Sequence, residues 1–230
     1  MNYALIIPGN EQKFLHPNWI SAQLLLKVNG TSIIESLLDT CLNCDASSLT
    51  CLIDESNYSL YDYLKKIKLK VPFNLVINSG GGILNYIAAL RKYLEGNPFI
   101  LIRANHFGFE NDLRKMLAFL DKNSRNDSVI AVKEFANEKE PYYVTIDNKN
   151  RITLVSQENI FSKYITCGLY YFDTNIFPAM DFLLKKNIKQ FENLLNYLID
   201  SKYRLAAFKF SNIIDVDNLL NYLPLNELEI

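Results

Sequence analysis

Two stretches of this 230-residue chain hold residue types that handle charged ligands. Gly80-Gly81-Gly82 runs straight into a segment of apolar residues at helical spacing, Ile83, Leu84, Ile87, Leu90 and Leu94. Glycines reach backbone angles closed to other residues and expose bare N–H groups, and a helix starting there turns its positive end toward a phosphate. Further on, the apolar run Phe99-Ile100-Leu101-Ile102 stops abruptly at Arg103-Ala104-Asn105-His106. A cation, an amide and an imidazole there offer hydrogen-bond donors and acceptors at a strand end, where open α/β sheets gather their ligands. Near the C-terminus Asp215 and Asp217 flank Val216, and Asp215 can cap a final helix.

The remaining reactive types point away from chemistry. Cys41, Cys44, Cys51 and Cys167 include one C-x-x-C, but the only histidines are His16 and His106. A zinc site wants two such pairs or companion histidines at short spacing, so these read as reduced, buried thiols. Asp54-Glu55 reads as a loop cap at a strand end.

The elements that must position these residues alternate. Residues 3–7, 49–53, 73–77 and 98–102 are short apolar runs of the buried-strand kind. Between them, 33–42, 58–67 and 83–94 carry helical stripes, the first opened by Ser32-Ile33-Ile34-Glu35 in capping-box form. Alternation of this kind implies right-handed crossovers and parallel pairing, with the strand ends at one edge where open sheets gather ligands. A helix over 113–120 and a strand over 129–132 follow. The pattern then changes to a hairpin about Asp147-Asn148-Lys149-Asn150, a strand at 166–172, helices near 174–186 and 189–201, a strand at 205–210 and a short helix at 216–223. Residues 10–21, with Pro17 and Trp19, show no period; an irregular segment this close to the first strand is usually functional. The expected fold is a single-domain α/β/α sandwich over 1–230, with a mixed, mainly parallel central sheet.

Composition bounds the partners. Lys+Arg 24 against Asp+Glu 25 leaves a net charge of −1, which provides no field for nucleic acid or an anionic membrane. No apolar run approaches the roughly 20 residues that cross a bilayer, and no basic leader precedes the first strand, so the expected location is cytoplasmic. Assembly into a homo-oligomer stays open.

Six segments, in order, resemble the sugar-phosphate nucleotidyltransferases, whose fold is the nucleotide-diphospho-sugar (GT-A-like) sandwich. The family's L-A-A-G-x-G-T-R resembles Ile6-Ile7-Pro8-Gly9-Asn10-Glu11-Gln12-Lys13, and its K-P-L-L-P-V-N-G resembles Gln23-Leu24-Leu25-Leu26-Lys27-Val28-Asn29-Gly30. Its G-T-A before a helix is similar to Gly81-Gly82-Ile83, and its strand ending in A-D-H or G-D to Ile102-Arg103-Ala104-Asn105-His106. N-A-G-I-Y-V-F resembles Thr166-Cys167-Gly168-Leu169-Tyr170-Tyr171-Phe172, and D-I-D-x-x-E-D-L resembles Ile214-Asp215-Val216-Asp217-Asn218-Leu219.

The resemblance implies a nucleoside triphosphate and a sugar phosphate or related phosphorylated alcohol as substrates, with Mg²⁺ between them. It implies nucleotide contacts from Pro8, Gly9, Gly80, Gly81, Gly82 and Asn105, and substrate contacts from His106, Gly168 and Tyr170. Lys13 and Gln23 stand where the family has a catalytic Arg and Lys. Asn105 stands for the first metal-binding aspartate, with Asp215 and Asp217 as further metal ligands. The departures fall on the chemistry: Lys13 is a point charge without the guanidinium fork, Glu11 replaces a glycine of the phosphate turn, and Gln23 and Asn105 have lost their charges. Two functions follow from this pattern: nucleotidyl transfer by an altered site, or a nucleotide- or sugar-phosphate-binding regulatory pseudoenzyme on the same fold. A glycosyltransferase using Asp215-Val216-Asp217 as a D-x-D fits poorly, because that motif normally follows a mid-chain strand.

Overall fold

A computed structural model describes residues 1–8, 23–79, 82–122, 128–136, 138 and 141–216. Strand β1 (Asn2–Ile7) is followed by a small hairpin, β2 (Lys27–Val28) and β3 (Thr31–Ser32), turning through Asn29-Gly30. Helix α1 (Ile33–Asn43) opens with the expected capping box: the Glu35 N–H donates to Ser32 Oγ, and the Ser32 N–H donates back to the Glu35 carboxylate. Next come β4 (Ser48–Asp54), α2 (Tyr58–Leu64), β5 (Phe73–Asn78), α3 (Gly82–Leu94), β6 (Phe99–Arg103) and the two-residue β7 (His106–Phe107). Then follow α4 (Glu110–Lys122), β8 (Ser128–Glu134), the hairpin β9 (Tyr143–Ile146) and β10 (Ile152–Ser156), and β11 (Tyr164–Phe172). Helices α5 (Ile176–Lys185) and α6 (Phe191–Asp200) lead to β12 (Leu205–Lys209) and β13 (Ile214–Asp215).

In the main sheet β5, β4, β1 and β6 are mutually parallel neighbours, and β11 lies antiparallel beside β6. Strand β8 flanks β11 antiparallel, and β12 runs parallel to β8. With β9 also antiparallel to β11, seven strands of this sheet point one way, and among them β1, β4, β5, β6, β8 and β12 end at Ile7, Asp54, Asn78, Arg103, Glu134 and Lys209. Along β1 the period of two sends Tyr3, Leu5 and Ile7 into one core cluster and Ala4 and Ile6 into the other. Side chains of α1, α2 and α4 cover the first face, and those of α3, α5 and α6 the second. The sequence expectation of an α/β/α sandwich with a mixed, mainly parallel sheet is what the chain forms. All four cysteines are buried as free thiols.

Differences from the expectation are local. The helix expected at 58–67 stops at Leu64 and is preceded by a 3₁₀ turn, Glu55–Asn57, which Asp54 caps through Ser56 N–H at 3.0 Å. The segment 10–21 and nearly all of the final helix at 216–223 lie outside the described residues. The sequence reading missed β7 and β13, each two residues long, which pair antiparallel with His106 opposite Asp215 and Phe107 opposite Ile214.

That short pair is held from both sides. Phe107, Phe109, Phe210 and Val216 are buried in the first core cluster, and the Val216 N–H donates to Asn105 O at 2.9 Å. Asp112, on α4 and 1% exposed, accepts the Ser211 and Asn212 N–H groups at 2.7 and 2.9 Å, fixing the turn that feeds β13. Burial alone raises its pKa, but the Asn212 and Ser211 N–H groups and the Lys115 ammonium outweigh burial and hold the carboxyl below its ordinary value. Replacing Asp112 by Ala leaves two backbone donors without their acceptor, and a loss of about 1–3 kcal/mol in urea unfolding is expected. A lowered carboxyl pKa contributes stability above its unfolded value near ~4, and that contribution disappears as pH falls through the lower folded value. The gap between wild type and Asp112→Ala should therefore narrow when unfolding is repeated at successively more acid pH.

Candidate active site

The carboxyl edge of the sheet gathers most of the described site candidates. Pro8 follows β1, and its carbonyl accepts Asn57 Nδ2 at 2.9 Å; Asn57 is wholly buried, so the exit of β1 is tied to the turn after β4. Asp54, at that same strand end, accepts the Ser56 hydroxyl at 2.7 Å and the Tyr86 hydroxyl at 3.1 Å, joining β4 to α3. Gly82 begins α3 with φ +79°, a left-handed backbone that favours glycine. Gln23 is 5% exposed in the helical residues 23–25, its carbonyl accepting the Leu26 N–H. Gly9, Glu11, Lys13, Gly80, Gly81 and Asp217 lie outside the described residues.

Four of the predicted residues meet beyond the end of β6. The Ala104 N–H donates to Ile6 O, which carries the chain past the edge of the sheet before it turns into β7. His106 is 7% exposed, with Nδ1 2.9 Å from Asn105 Oδ1 and Nε2 3.6 Å from Asp215 Oδ2. Gly168 faces the same ring: a Cβ there would stand 3.2 Å from His106 Nδ1 and 3.3 Å from Arg103 Cβ. Gly168 also has φ +77° and sits in the register shift between Thr166 and Tyr170. At this bulge β11 leaves β9 and joins β6. The glycine has two independent reasons to be one, backbone angle and ring clearance.

Burial lowers the His106 pKa to about 3, and the positive charges of Lys133 and Arg103 act in the same direction. The imidazole is therefore neutral at physiological pH. Lys133 in turn pairs with Glu138 at 2.8 Å, with side chains 13% and 8% exposed. Burial raises the Glu138 carboxyl, but Lys133 and the Ala136 N–H more than compensate. Beside this pair opens a cleft of about 530 Å³, lined by Lys133, Glu138, Tyr164, Lys209, Phe210 and Ser211 among others. Sequence reading missed these residues; the available signal was a lysine at or next to the end of two apolar strands, Lys133 in β8 and Lys209 in β12.

Tyr170 corrects the expectation of a substrate contact. Its side chain is 0% exposed, stacked on Phe172 and edge-on to Phe191, with its hydroxyl 3.1 Å from Thr166 Oγ1. Burial pushes its pKa up to about 12. Strand alternation sends residue 170 into the second core cluster, while Tyr171 packs at the border of the first.

Among the described residues no group of three or more His, Cys, Asp and Glu is arranged to hold a metal ion. The donors that do converge are the Asp215 carboxylate, the His106 imidazole and the Asn105 amide oxygen, the last already facing His106 Nδ1. One carboxylate with substrate oxygens and water is an adequate set for a divalent cation, so the residues present fit one, with fewer formal charges than a pair of aspartates supplies.

Gly168→Ala tests the contact with the ring. The left-handed angle costs an L-residue about 1–2 kcal/mol, and the His106 ring must also shift. A lower unfolding midpoint is expected, together with displaced His106 ring resonances in proton NMR; unchanged resonances would show that the ring does not rest on residue 168.

Comparison with known proteins fits this geometry. The family model described as Nucleotidyl transferase matches residues 18–227. No match of significance is found among curated proteins. A UDP-glucose pyrophosphorylase complexed with UDP-glucose is 17% identical over 96% of each chain, with a TM-score of 0.77. A putative glucose-1-phosphate thymidylyltransferase from Bacillus anthracis is 15% identical over 97% of each chain, with a TM-score of 0.78. The inositol-1-phosphate CTP transferase from T. maritima is 14% identical over 93% of this chain and 87% of its own, at 0.68. At such identities the structural likeness speaks for the fold, and the family match over nearly the whole sequence speaks for descent: the chain belongs to the nucleotidyl transferase family.

Proposed function

We propose that the protein transfers a nucleotidyl group from a nucleoside triphosphate to a sugar phosphate or related phosphorylated alcohol, releasing pyrophosphate, through a site altered at Asn105, Gln23 and Glu11. The observation that carries this reading is the convergence of Asn105, His106, Asp215 and Gly168 at the carboxyl edge of a nucleotidyl transferase fold. Family membership supports the reaction class; the solved neighbours that act on glucose and inositol phosphates support the acceptor class by analogy.

Each residue has a task in this scheme. Gly80, Gly81 and Gly82 let the triphosphate approach backbone N–H groups, and Pro8 and Gly9 are further nucleotide contacts. Lys13 supplies the positive charge for the phosphates, and Gln23 contributes a neutral donor where the family has a cation. A divalent cation, Mg²⁺ by family resemblance, would be held by Asp215, by Asp217 and by the Asn105 oxygen, and would neutralise charge as pyrophosphate leaves. His106 holds Asn105 from Nδ1, and Gly168 leaves room for that ring. Lys133 and Lys209 border the adjoining cleft, where the acceptor's hydroxyl groups and phosphate find donors.

The change at Asn105 can be weighed. One unit charge pair about 4 Å apart at an effective dielectric near ~20 is worth roughly 4 kcal/mol, or about a thousandfold in rate. A slow enzyme is the expected consequence. The second reading, a binding protein without transfer, draws on the same observation, because the only oxygen on the Asn105 side chain is already engaged by His106.

Calorimetry with CTP, GTP, UTP and dTTP in the presence of Mg²⁺ separates these. One triphosphate is expected to bind at micromolar strength, and pyrophosphate release should follow with one member of a sugar-phosphate panel. Binding of no triphosphate would overturn the proposal, and binding without pyrophosphate release would favour the second reading. Asn105→Asp should raise turnover at least tenfold; if it gains nothing, the missing carboxylate is not the deciding change.

A further inference from the structure

The main sheet has three outer strands, β10, β12 and β5, and their free edges are treated differently. An edge strand presents a row of unpaired N–H and C=O groups that another chain can join, so such edges are commonly covered, charged, bulged or broken by proline. On β10 the Val155 N–H donates to Asn196 Oδ1 at 2.9 Å and the Val155 carbonyl accepts Asn196 Nδ2 at 2.7 Å, so α6 covers that edge. On β12 the Ala207 N–H donates to Asn150 O at 2.8 Å, and Arg151 forms an antiparallel bridge with Ala206. Strand β5 has no such cover among the described residues. Its sequence, Phe73-Asn74-Leu75-Val76-Ile77-Asn78, holds neither charge nor proline, and its register with β4 runs without a bulge. No residue of it is fully buried, and Ile77 is 43% exposed.

The Leu49 N–H donates to Pro72 O at 2.9 Å, which fixes the phase of the β4–β5 ladder. Backbone direction alternates along a strand, so residues 72, 74 and 76 turn toward β4 while Phe73, Leu75 and Ile77 turn outward. The N–H and C=O groups of those three meet no partner among the described residues. We propose that β5 is a homodimer interface, pairing antiparallel with β5 of a second copy about a two-fold axis that passes through Leu75 perpendicular to the sheet. In an antiparallel ladder, outward groups are satisfied when outward residues stand directly opposite one another. Centring the axis on Leu75 is the register that pairs all three: Leu75 faces the partner's Leu75, and Phe73 faces the partner's Ile77. Phe73 and Leu75 already pack against the first core cluster, and Ile77 shares their face. The new contacts are therefore apolar cross-strand pairs, and the partner's Phe73 covers the exposed Ile77. Charge selects the same orientation. Lys65, Lys66, Lys68 and Lys70 are exposed in the segment that leads into the amino end of β5, while Glu55 is exposed at the other end, just after Asp54, which stands beside Asn78. Antiparallel pairing turns the basic end of each copy toward the acidic end of the other, whereas parallel pairing would set lysines beside lysines.

Sedimentation velocity of the full-length protein over a range of concentrations is expected to show a dimer. Ile77→Lys places a charge beside the partner's Phe73 and should weaken association at least tenfold, with circular dichroism checking its fold. Lys68→Glu with Lys70→Glu should weaken it as well, and adding Glu55→Lys to the same chain should restore it. Register is read by cross-linking. Under mild oxidant Leu75→Cys should form an interchain disulfide, because opposed residues of such a ladder have Cα atoms about 5.5 Å apart. Val76→Cys should form none, and neither should the wild type, whose four cysteines are buried. A wild-type monomer at every concentration would overturn the proposal, as would a dimer left unchanged by Ile77→Lys or a disulfide at residue 76 in place of residue 75. The pairing is independent of nucleotidyl transfer, so none of these results bears on that reading.

Discussion

The contact between His106 and Asp215 is the constraint on which the candidate site depends. It joins two segments more than a hundred residues apart, and the backbone pairing of β7 with β13 carries it. Neither strand is long enough to form alone. Phe107, Phe109, Phe210 and Val216 anchor the pair in the core from below, and Asp112 fixes the turn before β13 through two backbone N–H groups. Desolvating a carboxylate is costly without such partners, so Asp112 is placed to serve the geometry of Asp215 as much as the stability of α4. The imidazole above is held neutral by burial and by two neighbouring positive charges, and a neutral ring can receive a cation or accept a hydrogen bond where a charged one could not.

A nucleotidyl transfer centre needs a place for the phosphates, a source of positive charge and a fixed acceptor. Under the proposed function the sheet edge would supply the first through backbone. Asn57 to Pro8 and Tyr86 to Asp54 tie the ends of β1 and β4 and the first turns of α3 into one frame. The proposed acceptor side differs: β8, β11 and β12 bring charged and aromatic residues around a cleft, and the half-buried Lys133–Glu138 pair forms one wall. Under the proposed function, phosphate binding would fall to backbone and loop, and acceptor recognition to side chains of the antiparallel half.

Much of the fold was legible in the sequence because it is written in periods. Apolar runs of five to seven residues alternate with helical stripes, and the capping box at Ser32 and the hairpin signals at Asn29-Gly30 and 147–150 mark their ends. The change from parallel to antiparallel pairing after β8 was legible from the same grammar. The site was legible only in part. Asn105, His106, Gly168 and Asp215 come together, but the pairing that unites them spans two residues on each side, too short for any periodic signal. Tyr170 was expected to contact substrate; strand register, set by β6 on one side and β8 on the other, sends it inward. Lys133 and Lys209 went unremarked because a lysine at a strand end is ordinary until the strands are set side by side.

The account stands or falls on whether phosphoryl chemistry occurs at this edge, and the reverse reaction tests it most directly. The protein is mixed with labelled pyrophosphate, a divalent cation and each of a set of nucleoside diphosphate sugars, and labelled triphosphate is measured. The account predicts that one nucleotide sugar yields labelled triphosphate, that chelation of the cation abolishes it, and that Asp215→Asn reduces it at least tenfold. Folded protein that forms no labelled triphosphate from any of them would contradict it.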